Sequence, residues 1–359
     1  MARPSWEDAL SAVGVATLDG WAAMEAALRR LDPAALPELR RQLAPYEAAL
    51  ARTVAVFRST PPPADLEEFA SRFADGAALT HRALALFTET PPAREAVVRV
   101  LESMRTFCRA LETLYPLHRL PALSRYFVEP ALHDRIGELD PEPPEAASVG
   151  LHKTRHSESG GFSLYVPERY DGSAEWPLVV ALHGGSGSGD DFVWTWLREA
   201  RGRRFLLLAP TARGSTWSMM GTDVDAPALR SMVQYVCERW RVNTRSILLT
   251  GLSDGATYAL LCGLANDSPF TALAPVSGTL HPAVLAGERG QALRGRRIYM
   301  VHGARDWLFP IAMARAASDI LRQAGADIVF REIDDLSHTY PREENDRILA
   351  WFDPSLALP

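Results

Sequence analysis

Apolar residues recur at three-and-four spacing in the first third of the chain. Leu66, Phe69, Phe73, Ala77, Thr80, Leu84 and Phe87 form one such set. Val97, Val100, Leu101, Met104, Phe107, Cys108, Leu111 and Leu114 form another. This spacing puts each set on one helix face, because a turn takes 3.6 residues. Prolines at Pro33, Pro45, Pro61–Pro63 and Pro91–Pro92 read as breaks between segments. The pattern predicts an all-α bundle of about four antiparallel helices over residues 1–140.

The run Asp140-Pro141-Glu142-Pro143-Pro144-Glu145 then reads as a stiff acidic linker, taken as 141–147. After it the period changes. Phe162–Val166 alternates as a strand does, and Ser148–His156 roughly so. Short, nearly continuous apolar runs follow at Leu178–Leu182, Phe205–Ala209, Ile247–Thr250, Ala272–Val276, Ile298–Val301 and Ile328–Ile333. Such runs suit strands buried on both faces. Helical stretches lie between them, at Ala226–Trp240, Ala256–Ala265, Ile311–Ala324 and Arg342–Trp351. The expected fold class over 148–359 is therefore α/β, a mostly parallel central sheet covered by helices.

Composition fits that picture of two soluble halves. A length of 359 residues suggests two domains or one large one. The net charge of −6 and a pI near 5.9 argue against nucleic acid or an anionic lipid surface as partner. Lys153 is the only lysine, so arginine carries almost all the positive charge. Cys108, Cys237 and Cys262 form neither a disulfide framework nor a zinc pattern, and Cys108 and Cys262 fall in apolar helical runs. His81, His118 and His133 are scattered without metal-ligand spacing. No metal and no cofactor is expected. Residues 1–10 lack the basic end and apolar run of a signal peptide. No window approaches the ~20 apolar residues of a membrane span. A cytoplasmic location is the expectation.

The chemistry concentrates at Gly251-Leu252-Ser253-Asp254-Gly255, between an apolar strand and a helical run. A GxSxG sequence in that setting predicts a sharp turn that presents the serine, which needs small neighbours. An alcohol at neutral pH needs a base to become a nucleophile. Downstream histidines are His281, His302 and His338. His338 follows the last strand and precedes the last helix, where loops line the carboxyl edge of the sheet. It is the candidate base. His302, at a strand end, is expected to pack or hydrogen-bond beneath Asp306. Asp306, just after the strand Ile298–Val301, is the candidate acid that orients the imidazole. Asp334 and Asp335 read as solvated loop residues, and Asp267 as a weaker alternative acid.

Acyl transfer also needs N–H groups aimed at the developing oxyanion. One candidate is the N–H of Asp254. The other lies in the glycine-rich loop Leu182–Gly189, at Gly185 or Gly184. That loop has neither GxGxxG nor Gly-Lys-Ser/Thr, which excludes the common nucleotide motifs. Trp217, on a loop after the strand Phe205–Ala209, is a candidate pocket residue, with Gly184 and Trp307 as further ones. Trp194 and Trp196, in a helical stretch, read as packing residues.

These motifs carry a family resemblance. Gly251-Leu-Ser253-Asp-Gly255, His183-Gly-Gly, His302-Gly-Ala-Arg-Asp306 with Pro310, and His338 ahead of Pro341 resemble the bacterial α/β-hydrolase esterases. The nearest group is the phospholipase/carboxylesterase branch, related to acyl-protein thioesterases, dienelactone hydrolases and the feruloyl-esterase and polyhydroxybutyrate-depolymerase esterases. The resemblance covers about Leu151 to Phe352. It implies metal-free hydrolysis of a small-molecule ester or thioester through an acyl-enzyme, with Gly185 as the second oxyanion donor. Ser337 stands where many relatives have glycine, and Phe309-Pro310 where many have Val-Pro; neither change removes a catalytic atom. The N-terminal bundle is not part of the pattern, and could be a lid, a docking module or a homodimer surface. A peptidase, an acyltransferase and a non-catalytic binding or scaffold protein on the same fold are the rival expectations.

Overall fold

The computed structural model describes residues 4–141, 148–154 and 160–358. The expected linker 141–147 falls almost wholly outside them. The chain forms two compact units, Met1–Tyr126 and Phe127–Pro359.

The first unit is built on four long helices: α1 (Trp6–Arg29), α2 (Leu36–Ser59), α3 (Glu67–Thr88) and α4 (Ala96–Leu114). Ser5 and Asp8 form a capping box at the start of α1, satisfying N–H groups that have no partner inside the helix. The two apolar stripes face the core, with Phe73, Leu84, Phe87, Phe107, Leu111 and Leu114 all buried. Val97, in the first turn of α4, is 65% exposed and stands outside its stripe. Pro45 does not break the chain as expected but lies inside α2. It falls in the third turn of a helix whose apolar face, Leu39, Leu43, Leu50, Val54 and Phe57, is buried on both sides of it. The buried face outweighs the one hydrogen bond the ring removes. Trp21 shows how the bundle treats buried polarity: its indole donates to Thr80 Oγ1 at 2.8 Å, and Thr80 donates on to the carbonyl of Gly76.

The second unit holds one eight-stranded sheet. Its strands are β1 (Gly150–Lys153), β2 (Phe162–Val166), β3 (Trp176–Leu182), β4 (Leu206–Pro210), β5 (Val242–Leu252), β6 (Ala272–Val276), β7 (Arg297–Gly303) and β8 (Asp327–Ile333). They lie in the order β1-β2-β4-β3-β5-β6-β7-β8. Every pair from β4 to β8 is parallel, and the two pairs made by β2 are antiparallel. All seven residues of β3 are buried, as the continuous apolar runs require. The chain leaves β3 for β4 on one side and then returns to β5 on the other. That reversal opens a crevice at the carboxyl ends of β3 and β5, where ligands bind on such sheets.

The boundary expected at 140 falls instead between Tyr126 and Phe127. Residues 127–140 pack within the second unit. Val128, Leu132 and Leu139 form a small core with Ile136 and Leu358. Glu129 is ion-paired with the buried Arg203, which also donates to the carbonyl of Leu356. Arg201, wholly buried, pairs with Asp140 at 2.5 Å. No helix among the described residues is long and apolar enough to cross a membrane.

Candidate active site

The turn after β5 explains the residue types in Gly251-Leu252-Ser253-Asp254-Gly255. Ser253 sits at φ +56°, ψ −117°, a region that L residues rarely occupy. A Cβ on Gly255 would stand 2.4 Å from the carbonyl oxygen of His183, and one on Gly251 would stand 2.6 Å from the carbonyl carbon of Gly255. Backbone lies on both sides, so neither position admits a side chain. The N–H of Ser253 donates to the carbonyl of Val276 on β6, which fixes the turn to the sheet. The helix Asp254–Gly263 starts immediately afterwards.

The turn leaves Ser253 Oγ 2.9 Å from Nε2 of His338. Nδ1 of His338 lies 2.8 Å from Oδ2 of Asp306. Asp306 is held in turn: its Oδ1 accepts the N–H groups of Leu308 and Phe309 at 3.0 and 2.8 Å. Burial raises the Asp306 pKa, but the hydrogen bonds from His338 and Phe309 and the charges of His338 and His302 outweigh it. The carboxyl rests below its ordinary value of 3.8 and is ionised at neutral pH. The ring of Phe309 meets His338 edge-on at 5.2 Å and supports the imidazole. His302 lies beneath Asp306 as expected, its Nε2 2.7 Å from the carbonyl of Phe309 and 3.4 Å from Oδ2 of Asp306.

The rejected candidates stand apart. Asp334 and Asp335 are exposed. Asp267 pairs with Arg230, and His281 caps a short helical turn through the N–H of Ala283.

The glycine-rich loop reaches the serine because β3 and β5 are neighbours, with Leu182 opposite Gly251. A Cβ on Gly184 would lie 3.5 Å from Cβ of Ser253. Gly185 is exposed, and a Cβ there would come within 2.7 Å of Oδ2 of Asp254. As the first residue of its helix, Asp254 has an N–H without an intrahelical acceptor.

His183 is the residue whose part in the site the sequence did not announce. Its Nε2 accepts the N–H of Ala212 at 3.0 Å, so Nδ1 carries the proton and donates to the carbonyl of Gly184 at 2.6 Å. Burial drives its pKa below the ordinary 6.5, against the opposing pull of Gly184, Asp225 and Asp254. The imidazole is a neutral strut under the glycine-rich loop. The position of His183 in His-Gly-Gly was the available signal.

Trp217 is 2% exposed, and its indole donates to the carbonyl of His183 at 2.8 Å. Its ring lies against His183 and stacks on Tyr258. It anchors the loop rather than lining an open pocket. Trp307 is 54% exposed beside Asp306 and remains free to meet a ligand. Trp194 and Trp196 are buried, as expected of packing residues.

Strand order, elbow and carboxyl-edge site together decide the class. The second unit has the α/β-hydrolase fold. Residues 218–353 match the family described as Phospholipase/Carboxylesterase. The probable feruloyl esterase C of Aspergillus terreus is 28% identical over 159 residues, 42% of this chain and 56% of that protein. The chain thus spans just over half the length of that curated relative. Among solved structures, a thermophilic esterase from Thermogutta terrifontis, Est2, is similar over 60% of this chain and 98% of that one, with 15% identity and a TM-score of 0.47. The acetyl xylan esterase of Aspergillus awamori is similar over 56% and 98%, with 14% identity and a TM-score of 0.45.

Proposed function

We propose that this α/β-hydrolase cleaves carboxylic esters of small molecules through an acyl-enzyme on Ser253. The observation that carries the reading is the unbroken line from Ser253 Oγ through both nitrogens of His338 to Asp306, with links of 2.9 and 2.8 Å. Such a line lets His338 take the serine proton as Oγ attacks the carbonyl, while the ionised Asp306 stabilises the imidazolium. The N–H groups of Asp254 and Gly185 receive the oxyanion. His338 then returns the proton to the leaving alcohol and next activates a water that releases the acid. Trp307, exposed beside Asp306, is the pocket residue of this reading.

The test is turnover of p-nitrophenyl esters from acetate to palmitate, with Ser253→Ala as control and a fluorophosphonate probe alongside. Serine-dependent turnover and labelling support the reading. Labelling that persists in Ser253→Ala would remove Ser253 as nucleophile. Labelling without turnover would move the substrate to a thioester or peptide. Neither labelling nor turnover would favour a binding protein.

A further inference from the structure

The segment Ser215-Thr216-Trp217 touches both sides of the proposed oxyanion pocket. On the side of the glycine-rich loop, the carbonyl of Ser215 accepts the N–H of Ser186 at 2.9 Å, and Trp217 donates to the carbonyl of His183 at 2.8 Å. These bonds flank Gly184 and Gly185. On the side of the elbow helix, Thr216 Oγ1 donates to Asp254 Oδ2 at 2.6 Å, and the Trp217 ring stacks on Tyr258 at 5.4 Å and 13°. The same Asp254 oxygen bears against Gly185, where a Cβ would meet it at 2.7 Å.

We infer that Thr216 is a positioning residue for the oxyanion pocket. Its hydroxyl holds the Asp254 carboxylate, and through it the clamp sets the separation of the N–H groups of Gly185 and Asp254. This inference rests on the reading of Ser253 as nucleophile. Two physical effects point the same way. Oxyanion donors must sit within a few tenths of an ångström of their place, so a loosened carboxylate misplaces them. An Asp254 charge without its hydroxyl partner would also be free to turn towards the developing oxyanion and repel it. Both costs arise only in the transition state, so they fall on kcat and leave KM nearly alone.

The experiment uses the full chain with p-nitrophenyl butyrate as substrate and a trifluoromethyl ketone as inhibitor, since its adduct with the serine carries an oxyanion. Thr216→Val keeps the shape and loses the donor; its kcat should fall roughly 10- to 100-fold. KM should change by less than about twofold, and ketone affinity should drop in parallel with kcat. Thr216→Ser, which keeps the hydroxyl, should hold kcat within about threefold of the parent. Wild-type kcat in Thr216→Val, an equal loss in Thr216→Ser, or unchanged ketone affinity would overturn the inference. Should Thr216→Val not fold, Asp254→Ala removes the other end of the same bond together with the charge, so it must show a paired loss from misplaced donors alone; parent-like kcat there would overturn the inference too. Turnover surviving in Ser253→Ala would instead remove the nucleophile reading itself.

Discussion

Oδ2 of Asp306 lies 2.8 Å from Nδ1 of His338, while Oδ1 of the same carboxylate accepts two backbone N–H groups. One oxygen serves the imidazole and the other locks the carboxylate in the plane that serves it. Asp306→Asn should therefore keep the loop and misdirect the histidine tautomer. We expect kcat on p-nitrophenyl acetate to fall by about 10³–10⁴-fold with near-parental thermal stability. A loss below tenfold would exclude Asp306 as the orienting acid.

His183 gives a pH dependence whose sign follows from its surroundings. Its folded pKa is lowered, so the folded protein binds fewer protons than the unfolded chain. The associated stability is complete above the ordinary value of 6.5 and is lost as pH falls from there through the folded value. His152, also lowered by burial, adds a loss of the same sign. The buried Glu199, its pKa raised by desolvation, contributes with the opposite sign in both proteins, so the comparison is between parent and variant by urea denaturation at pH 8 and pH 5.5. His183→Asn should lose less stability than the parent at the lower pH, and an unchanged slope would exclude His183 as a source.

Gly255→Ala places a Cβ against the backbone of β3 and the loop beyond it. Backbone cannot rotate away as a side-chain tip can, so the cost should be about 3 kcal/mol, with activity lost as the elbow shifts. Denaturant midpoints and the ester assay measure both. Parental stability would mean that the turn has more room than the distances allow.

Trp307→Ala tests the exposed indole beside Asp306. Little packing is lost at a residue 54% exposed, so the melting temperature should stay within about 1 °C. Acyl-chain preference along the p-nitrophenyl series should shift, chiefly through KM. An unchanged profile would remove Trp307 from the pocket.

Truncation separates the two possible starts of the catalytic unit. A fragment of residues 127–359 keeps Glu129 with Arg203 and Asp140 with Arg201. A fragment of 148–359 strips both buried cations of these carboxylates; Arg203 keeps Asp346 at 2.9 Å, so the combined cost should stay below the about 3–5 kcal/mol per pair that a fully stranded buried charge would bring. The shorter fragment should be insoluble or much less stable than the longer one. Equal stability by urea denaturation would show that 127–140 is dispensable.

The legible and illegible parts of this chain divide by the range of the forces involved. Six of the eight strands, β3 to β8, overlap a short apolar run, a local signature that no distant contact needs to supply, while β1 and β2 fall where the pattern alternates. β5 runs from Val242, well before its apolar core at Ile247, because its polar residues 243–245 are partly or fully exposed and carry no apolar signal. Ser253, Asp306 and His338 could be picked from chain order and strand ends, since the sheet brings those ends together. Pro45 and residues 127–140 depart from the local pattern for the opposite reason. What retains them is a tertiary face and ion pairs to residues over 60 positions away. Trp217 and His183 belong with them: an indole and an imidazole that face each other across a loop show nothing of that in sequence.

The elbow also sorts the site by what mutation can reach. Gly251, Gly255 and the turn between them are enclosed by main chain, so substitution there meets atoms that cannot be exchanged for smaller ones. The loops after β4 and β7 end in exposed side chains, Met220 and Val224 on one, Trp307 and Leu308 on the other. Under the proposed esterase reading, selection for a new substrate, natural or in the laboratory, would find its accessible steps on those two rims. A library spread over them would sample specificity while the reacting atoms stay where they are.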